Sequence, residues 1–251
     1  MKLLVVSKSN IASSNIGNFL KESPKVKLEI ISKGVLELDY LQSYSPKPEL
    51  IVVASTHKSE AGIPMLNAHP TGNWASADLG GRPRTLSIAP ALYLASAVRA
   101  LRDSKEQLGL NYEVGLEVTH HSPTINLPVM FVEVGSSEKE WNDLQACEVV
   151  ASVINKIAVE TPKKEDICIG FGGPHYAPQF TRRVLAGKFA TGHICPKHHI
   201  DSLNEEMILQ AFNKTTPKPN FVALEWKGLK PEQRQKIISV LEKNKISWER
   251  I

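Results

Sequence analysis

The sequence predicts an α/β protein in which three layers (α/β/α) contain a mixed, partly parallel sheet. Three observations predict this class. The 251 residues are 42% hydrophobic and 22% charged, a composition typical of a globular domain with a sizeable core. Short apolar runs alternate with segments of helical periodicity, the pattern of strands and helices that pack in layers. No apolar run approaches roughly 18 residues, so no membrane span is expected. We therefore predict a single domain over residues 1–251.

The first half of the chain begins with a predicted strand and a predicted helix. Residues 3–6 form an apolar run typical of a buried strand, and residues 10–22 place apolar side chains at helical spacing. Residues 26–31 and 50–54 are two further apolar runs, which predict strands. Residues 61–85 contain seven glycines and prolines, too many for a regular element. They predict a long functional loop that can form a small lobe.

The second half repeats the alternation. Pro90 suits a first helical turn and Gly109 a helix terminus, so a helix is predicted between them. Ser137 and Glu140 form a capping box that predicts a helix to about residue 159. The other predicted elements are strands at 112–118, 167–171 and 221–226, a helix at 231–241, and a short helix capped by Asp201. Three cysteines without paired spacing predict neither a disulfide framework nor a zinc motif.

Residues 167–200 are the most unusual stretch of the chain, because 34 consecutive residues contain no acidic side chain. Half of the eight histidines lie there, together with Arg182, Arg183 and a glycine-rich segment at 170–178. Positive charge, imidazoles and flexible backbone in one segment suit an anionic ligand, a metal ion or both. The net charge of +4 includes no basic tail, so any contact with nucleic acid must come from such a local patch.

Two polar segments directly follow predicted strands. His120 and His121 come after the strand at 112–118, and His175 comes after the strand at 167–171. Ligands of parallel α/β sheets bind outside the carboxyl ends of the strands. We therefore expect these imidazoles to converge.

The imidazoles and glycines of these segments predict hydrolytic chemistry. The backbone N–H groups of Gly172 and Gly173 are candidate donors to an oxyanion, and several imidazoles with one open position would form a catalytic zinc site. Glu113 and Glu117 can orient the imidazoles or lie at the surface. The predicted catalytic residues are His120, His121, His175, Gly172 and Gly173. The predicted ligands of Zn²⁺ are His120, His121, His175 and His193.

Arginines in two acid-free segments can hold phosphate groups. Arg82 and Arg84 lie in the first segment, and Arg182 and Arg183 follow in the second. Trp74, which is expected to be exposed in the loop at 61–85, can stack on a base. These residue types predict a nucleic-acid substrate.

Four ordered motifs resemble the archaeal and plant type of D-aminoacyl-tRNA deacylase. They lie at residues 69–73, 117–124, 172–178 and 192–197, and the resemblance extends over the whole chain. It implies a cytoplasmic hydrolase that cleaves the ester between a D-amino acid and the terminal ribose of tRNA, with zinc as cofactor. It also implies a fold similar to nucleoside phosphorylases and peptidyl-tRNA hydrolases.

The resemblance also implies roles for residues of the motifs. Cys195 and His198 differ from the usual residues of the family and are not expected to be ligands. His69 and Asn73 of the first motif join the tryptophan and arginines predicted from their residue types, so the predicted substrate-binding residues are His69, Asn73, Trp74, Arg82, Arg84, Arg182 and Arg183. D-aminoacyl-tRNA is the expected partner, with no membrane and no obligate protein partner.

Two other classes of function remain open from the residues alone. A zinc-dependent amidohydrolase or peptidase acting on small substrates would not need the arginines. An RNA-binding module without catalysis would leave the clustered histidines and glycines unused. Within the deacylase reading, water can be activated by the protein or by the ribose hydroxyl next to the ester.

Overall fold

The computed structural model describes residues 1–251 and has fourteen strands and seven α-helices. The strands are β1 (Lys2–Ser7), β2 (Val26–Ile31), β3 (Leu50–Thr56), β4 (Met65–Pro70), β5 (Gly72–Asn73), β6 (Thr85–Leu86), β7 (Ala89–Pro90), β8 (Glu113–Leu116), β9 (Val129–Gly135), β10 (Ile167–Phe171), β11 (Ala190–Cys195), β12 (Thr215–Thr216), β13 (Phe221–Leu224) and β14 (Trp248–Arg250). The helices are α1 (Ile11–Gly17), α2 (Ala91–Leu108), α3 (Glu138–Trp141), α4 (Leu144–Val159), α5 (Pro178–Leu185), α6 (Glu205–Asn213) and α7 (Pro231–Lys243).

The strands form two main sheets. The first has the order β2-β1-β3-β9-β4-β8, and the second has the order β11-β10-β13-β14. The second sheet is entirely parallel. In the first, β4 runs antiparallel to β9 and parallel to β8, so these two strands oppose the other four. The predicted α/β class with a mostly parallel arrangement is confirmed.

Helix α2 lies between the two sheets, in contact with β4 and β8 on one side and with β11 on the other. Helix α4 packs beside α2, helix α1 packs against α4, and the apolar side chains of these helices form one core cluster with both sheets. Helices α6 and α7 cover the far face of the second sheet. The expectation of a single sheet between two helical layers is therefore corrected to two sheets that share a helical layer.

The predicted loop at 61–85 is wrong in its first part. β4 lies within the first sheet and all six of its residues are buried. The prolines that argued against an element, Pro64 and Pro70, stand just before the strand and at its last residue, where a missing N–H is tolerated. Gly72 (φ +143°) follows it and turns the chain into the short β5–β6 pair.

Local signals located several helix ends. Gly109 ends α2 in the left-handed conformation, as predicted. The capping box at Ser137 is present, but it opens only the four-residue α3, and Asp143 caps the longer α4. The predicted cap at Asp201 is wrong, because this residue lies in a 3-10 turn and Asn204 caps α6 instead. The helix predicted to residue 22 ends at Gly17.

Candidate active site

One face of strand β4 carries polar side chains although the strand is buried. Leu66 and Ala68 belong to the core beneath the helices, whereas Asn67 and His69 occupy the opposite face because side chains alternate along a strand. Asn67 pairs across the ladder with Glu133 of β9. This face therefore places an amide, an imidazole and a carboxylate beside one another inside the protein.

Glu117, the first residue after β8, lies at the centre of the site. Its carboxylate is fully buried and accepts hydrogen bonds from Asn67 Nδ2, from His57 Nδ1 (2.8 Å) and from His175 Nε2 (2.9 Å). Burial by itself would raise the pKa of this carboxyl, but the bonds from His175 and His57 outweigh burial and lower the pKa well below its ordinary value. Glu117 is therefore a buried anion, and the alternative of a surface carboxylate is wrong.

His175 stands at the open side of the site. The preceding loop turns through Gly172 (φ +107°) and Gly173 (φ +84°), a backbone region that residues with a Cβ rarely adopt. This turn brings the imidazole to Glu117 with 40% of its side chain still exposed. The Gly172 N–H donates to the Cys195 carbonyl (2.9 Å), so the prediction that it serves an oxyanion is wrong. The Gly173 N–H has no acceptor within the protein.

Three imidazoles form a second group beside Glu117. One ligand atom from each of His69, His120 and His121 lies within 4.8 Å of the others. Each Nδ1 lies 2.5–3.2 Å from a backbone carbonyl oxygen, which leaves each Nε2 for another partner. The His69 Nε2 is buried and has no hydrogen-bond partner. His120 also adjoins His175, with ring centroids 4.7 Å apart.

Burial and mutual repulsion control the charge of this group. Burial, followed by the charge of His69, lowers the pKa of His120 well below its ordinary value and the pKa of His121 to about 3. Burial also opposes charge on His69, but the Glu133 carboxylate, with Oε1 3.7 Å from His69 Nε2, outweighs burial and raises the pKa of His69. His120 and His121 are therefore neutral near pH 7, the form in which imidazole binds a metal.

Three further residues belong to the site although no sequence motif predicted them there: His57, Glu133 and Tyr176. His57 Nε2 lies 3.2 Å from the Tyr176 hydroxyl, which donates in turn to Ser59 Oγ (2.8 Å). Glu133 Oε1 lies 3.7 Å from the His69 ring. Two signals were available: Glu133 interrupts an otherwise apolar strand, and polar residues alternate with apolar ones through β4.

Two predicted site residues lie outside the cluster. His193 is fully buried in β11, where its ring nitrogens lie 3.0 Å from Thr119 Oγ1 and 3.0 Å from the Ser87 carbonyl. The structure thus corrects its prediction as a metal ligand, because both nitrogens are already engaged. Trp74 is 1% exposed and donates from Nε1 to the Thr119 carbonyl (3.0 Å), so it is not free to stack on a base.

The remaining predicted substrate-binding residues surround the site in different ways. Asn73 is buried and donates to backbone carbonyls of the loop that carries Arg82. Arg82 and Arg84 are exposed, but each donates to a carbonyl of a neighbouring loop. Arg182 is exposed and Arg183 half-buried in the last turns of α5, which begins three residues after His175. Both donate to Gln179.

Comparison with known proteins identifies the family. Residues 44–249 match the family model described as D-aminoacyl-tRNA deacylase. The chain belongs to this family. It is 36% identical over 261 residues to a D-aminoacyl-tRNA deacylase of Thermococcus onnurineus, with 94% of each chain covered, and 34% identical over 263 residues to one of Methanocaldococcus jannaschii, with 99% of each covered. A solved structure of a conserved protein of unknown function matches with a TM-score of 0.92 at 27% identity, covering 100% of this chain and 95% of that one.

Membership of the D-aminoacyl-tRNA deacylase family confirms the resemblance seen in the four motifs. The family consists of hydrolases acting on the ester bond of aminoacyl-tRNA, which decides against the amidohydrolase and the non-catalytic RNA-binding module. None of the seven helices combines the length and the apolar composition required to cross a bilayer.

Proposed function

We propose that the protein hydrolyses D-aminoacyl-tRNA to a free D-amino acid and tRNA with His175 as the proton-transferring residue. One observation carries the assignment of roles: the fully buried Glu117 carboxylate accepts a hydrogen bond from Nε2 of His175, whose side chain is still 40% exposed. A carboxylate in this position fixes the tautomer of its imidazole partner and stabilises the imidazolium that forms during proton transfer. The finer fold relationship, to nucleoside phosphorylases and peptidyl-tRNA hydrolases, is part of this proposal.

Proton transfer follows from the tautomer. Because Nε2–H of His175 donates to Glu117, Nδ1 carries the lone pair, and no group of the protein donates to it. Nδ1 accepts a proton from the attacking water and returns it to the leaving ribose oxygen. Three N–H groups of this loop, those of Gly173, His175 and Tyr176, have no acceptor within the protein and are candidate donors to the tetrahedral oxyanion. An aminoacyl ester is already activated, so no covalent nucleophile is required.

The donor set of His69, His120 and His121 fits a zinc ion. One ring nitrogen of each lies within 4.8 Å of the others, each Nδ1 lies at a backbone carbonyl oxygen, and the buried His69 Nε2 has no hydrogen-bond partner, with the Glu133 carboxylate 3.7 Å away. Zinc held there would polarise an oxygen of substrate or water. His69 thus replaces His193 in the ligand set predicted from the sequence, while His175 is assigned to proton transfer.

The decisive experiment compares D-tyrosyl-tRNA with L-tyrosyl-tRNA while following release of the amino acid. We expect the D-ester to be cleaved and the L-ester spared. His175→Ala should lower turnover of the D-ester by roughly 10² or more, and the matched variant His198→Ala, an exposed histidine outside the cluster, should not. Equal cleavage of both enantiomers would reject the deacylase assignment. Full activity of His175→Ala would show that His175 does not activate the water and would favour activation by the ribose hydroxyl.

A further inference from the structure

An apolar cavity of about 440 Å³ adjoins the Glu117–His175 pair. The cavity lies on the same face of the first sheet as the active site. It is lined by residues of β4 and β8 that precede the active-site residues of the same face. Met65 of β4 pairs with Glu113 of β8, and the next pair on this face is Asn67 with Gly115. Glu117 follows Gly115 by two residues on the same face and accepts a hydrogen bond from Asn67. The cavity therefore begins two residues from the buried carboxylate.

Tyr176 forms the wall that the cavity shares with the active site. It lines the cavity, and its ring contacts His175 edge to face with centroids 5.3 Å apart. Its hydroxyl binds His57 and Ser59 on the active-site side. Tyr176 therefore borders both the cavity and the side of the site where His175 is exposed.

The cavity wall is mostly aliphatic. Six of its eleven lining residues are hydrophobic, and charge is confined to the exposed Glu113 and Arg182. The one buried hydroxyl, Thr181 Oγ1, already accepts from the Leu116 N–H (3.0 Å). Ile63 is 54% exposed at the entrance, which is a large apolar surface to leave in water.

We infer that this cavity binds the side chain of the D-amino acid and selects large apolar or aromatic side chains. The inference rests on the proposed function, because the position of the ester at His175 determines what can reach the cavity. Burial of apolar surface supplies the binding free energy, since the interior offers few polar partners.

The terminal adenine of the tRNA is the competing occupant. A purine ring needs hydrogen-bond partners for its ring nitrogens and amino group when it is buried. The cavity interior offers few of them, because the Tyr176 hydroxyl donates to Ser59 and Thr181 Oγ1 accepts from the Leu116 N–H, which leaves only the Thr181 hydroxyl hydrogen without a partner. The apolar side chain of an amino acid has no such requirement, which favours it over the base.

The test places a charge at the cavity entrance. Ile63→Asp should lower kcat/KM for D-tyrosyl-tRNA and D-phenylalanyl-tRNA by roughly tenfold or more and leave D-alanyl-tRNA within about twofold, because only the large side chains enter the cavity. Ile30→Asp is the matched control, since Ile30 is equally exposed (55%) on strand β2 away from the cavity. Thermal unfolding of both variants checks that each is folded, and Ile63→Ala provides a milder version of the same change.

The outcomes separate this inference from the proposed function. An equal fall in kcat/KM for all three substrates would overturn the inference about the side chain. It would assign the cavity to the adenine, because every aminoacyl-tRNA carries the same terminal nucleotide. No change for any substrate would also overturn it. Failure of the wild-type protein to cleave any D-aminoacyl-tRNA would instead reject the proposed function.

Discussion

Glu117 shows how much of the site depends on one residue. Its two oxygens bind two histidines and an asparagine that come from three different parts of the chain. An uncompensated carboxylate would be expensive to bury, and these donors make the anion stable inside the protein. The hydrogen bond from His175 also holds its imidazole at the open side of the site. One contact therefore stabilises the buried carboxylate and positions the proton-transferring residue.

Glu117→Gln removes the charge while keeping the size of the side chain. We expect turnover of D-tyrosyl-tRNA to fall by about 10² or more, because the amide neither stabilises the His175 imidazolium nor fixes its tautomer. KM should change little. Single-turnover release of D-tyrosine measures the effect, with Glu106→Gln, an exposed position of α2, as control. Turnover within about twofold of the wild type would contradict the role of Glu117.

His69 is a proposed zinc ligand and His193 a structural residue, and the zinc content of their alanine variants distinguishes these roles. His69→Ala should lose bound zinc, because it removes a proposed ligand nitrogen that has no hydrogen-bond partner within the protein. His193→Ala should retain zinc and lose about 1–3 kcal/mol of unfolding free energy, because Thr119 and the Ser87 carbonyl lose their partner. Elemental analysis after dialysis and denaturant titration measure the two effects. Loss of zinc from His193→Ala, or its retention in His69→Ala, would disprove the proposed ligand set.

The helices and strands explain why the cysteines are structural. Cys147 lies in α4, Cys168 in β10 and Cys195 in β11, and all three are buried. Burial raises the pKa of the Cys147 and Cys168 thiols to about 12 and that of Cys195 well above its ordinary value. A raised thiol pKa means that the thiol stays protonated at pH 8, and the thiolate is the reactive form.

We therefore expect the native protein to react slowly with a colorimetric disulfide reagent at pH 8. The unfolded protein in denaturant should titrate all three thiols quickly. The time course of thiol release measures both states. A thiol that reacts at the same rate in native and unfolded protein would show that its element opens readily or that the cysteine is exposed.

The molecule as a whole places the site where its two sheets meet. The residues after β8 leave the first sheet and bind the second: the Val118 N–H donates to the His175 carbonyl, and the Thr119 N–H donates to the Ile194 carbonyl. These bonds bring Glu117, just after the last strand of the first sheet, to His175 in the loop that follows β10 of the second. Helix α5 begins three residues beyond His175 and carries Arg182 and Arg183 in its last turn.

This arrangement predicts where the tRNA backbone is held. Arg182→Ala combined with Arg183→Ala should weaken tRNA binding and reduce the slope of log Kd against log salt by about 1–2, since each lost phosphate contact removes about one released counterion. Lys21→Ala combined with Lys25→Ala, two exposed lysines before β2, is the matched control and should leave the slope unchanged. The preference for the D-ester should persist in both. An unchanged slope in the arginine variant would locate the phosphate contacts elsewhere.

Local patterns in the sequence were sufficient for many elements and for the histidines of the site. Apolar runs predicted β1, β2, β3 and β10, and Pro90 with Gly109 predicted α2. His120, His121 and His175 stood out because they directly follow strands. These features depend on residues a few positions apart, and backbone geometry over such distances is governed by local periodicity and by turn residues.

The partners of those histidines depend on strand pairing and could not be read from the chain. Glu117 meets His57 and His175, which lie 60 and 58 positions away, and His193 is engaged by Thr119 instead of a metal. Each contact follows from which strands are neighbours and in what register, and a shift of one residue would turn every side chain to the other face. Composition and motifs are local properties, whereas burial, pKa and the choice of ligand arise when distant segments pack together.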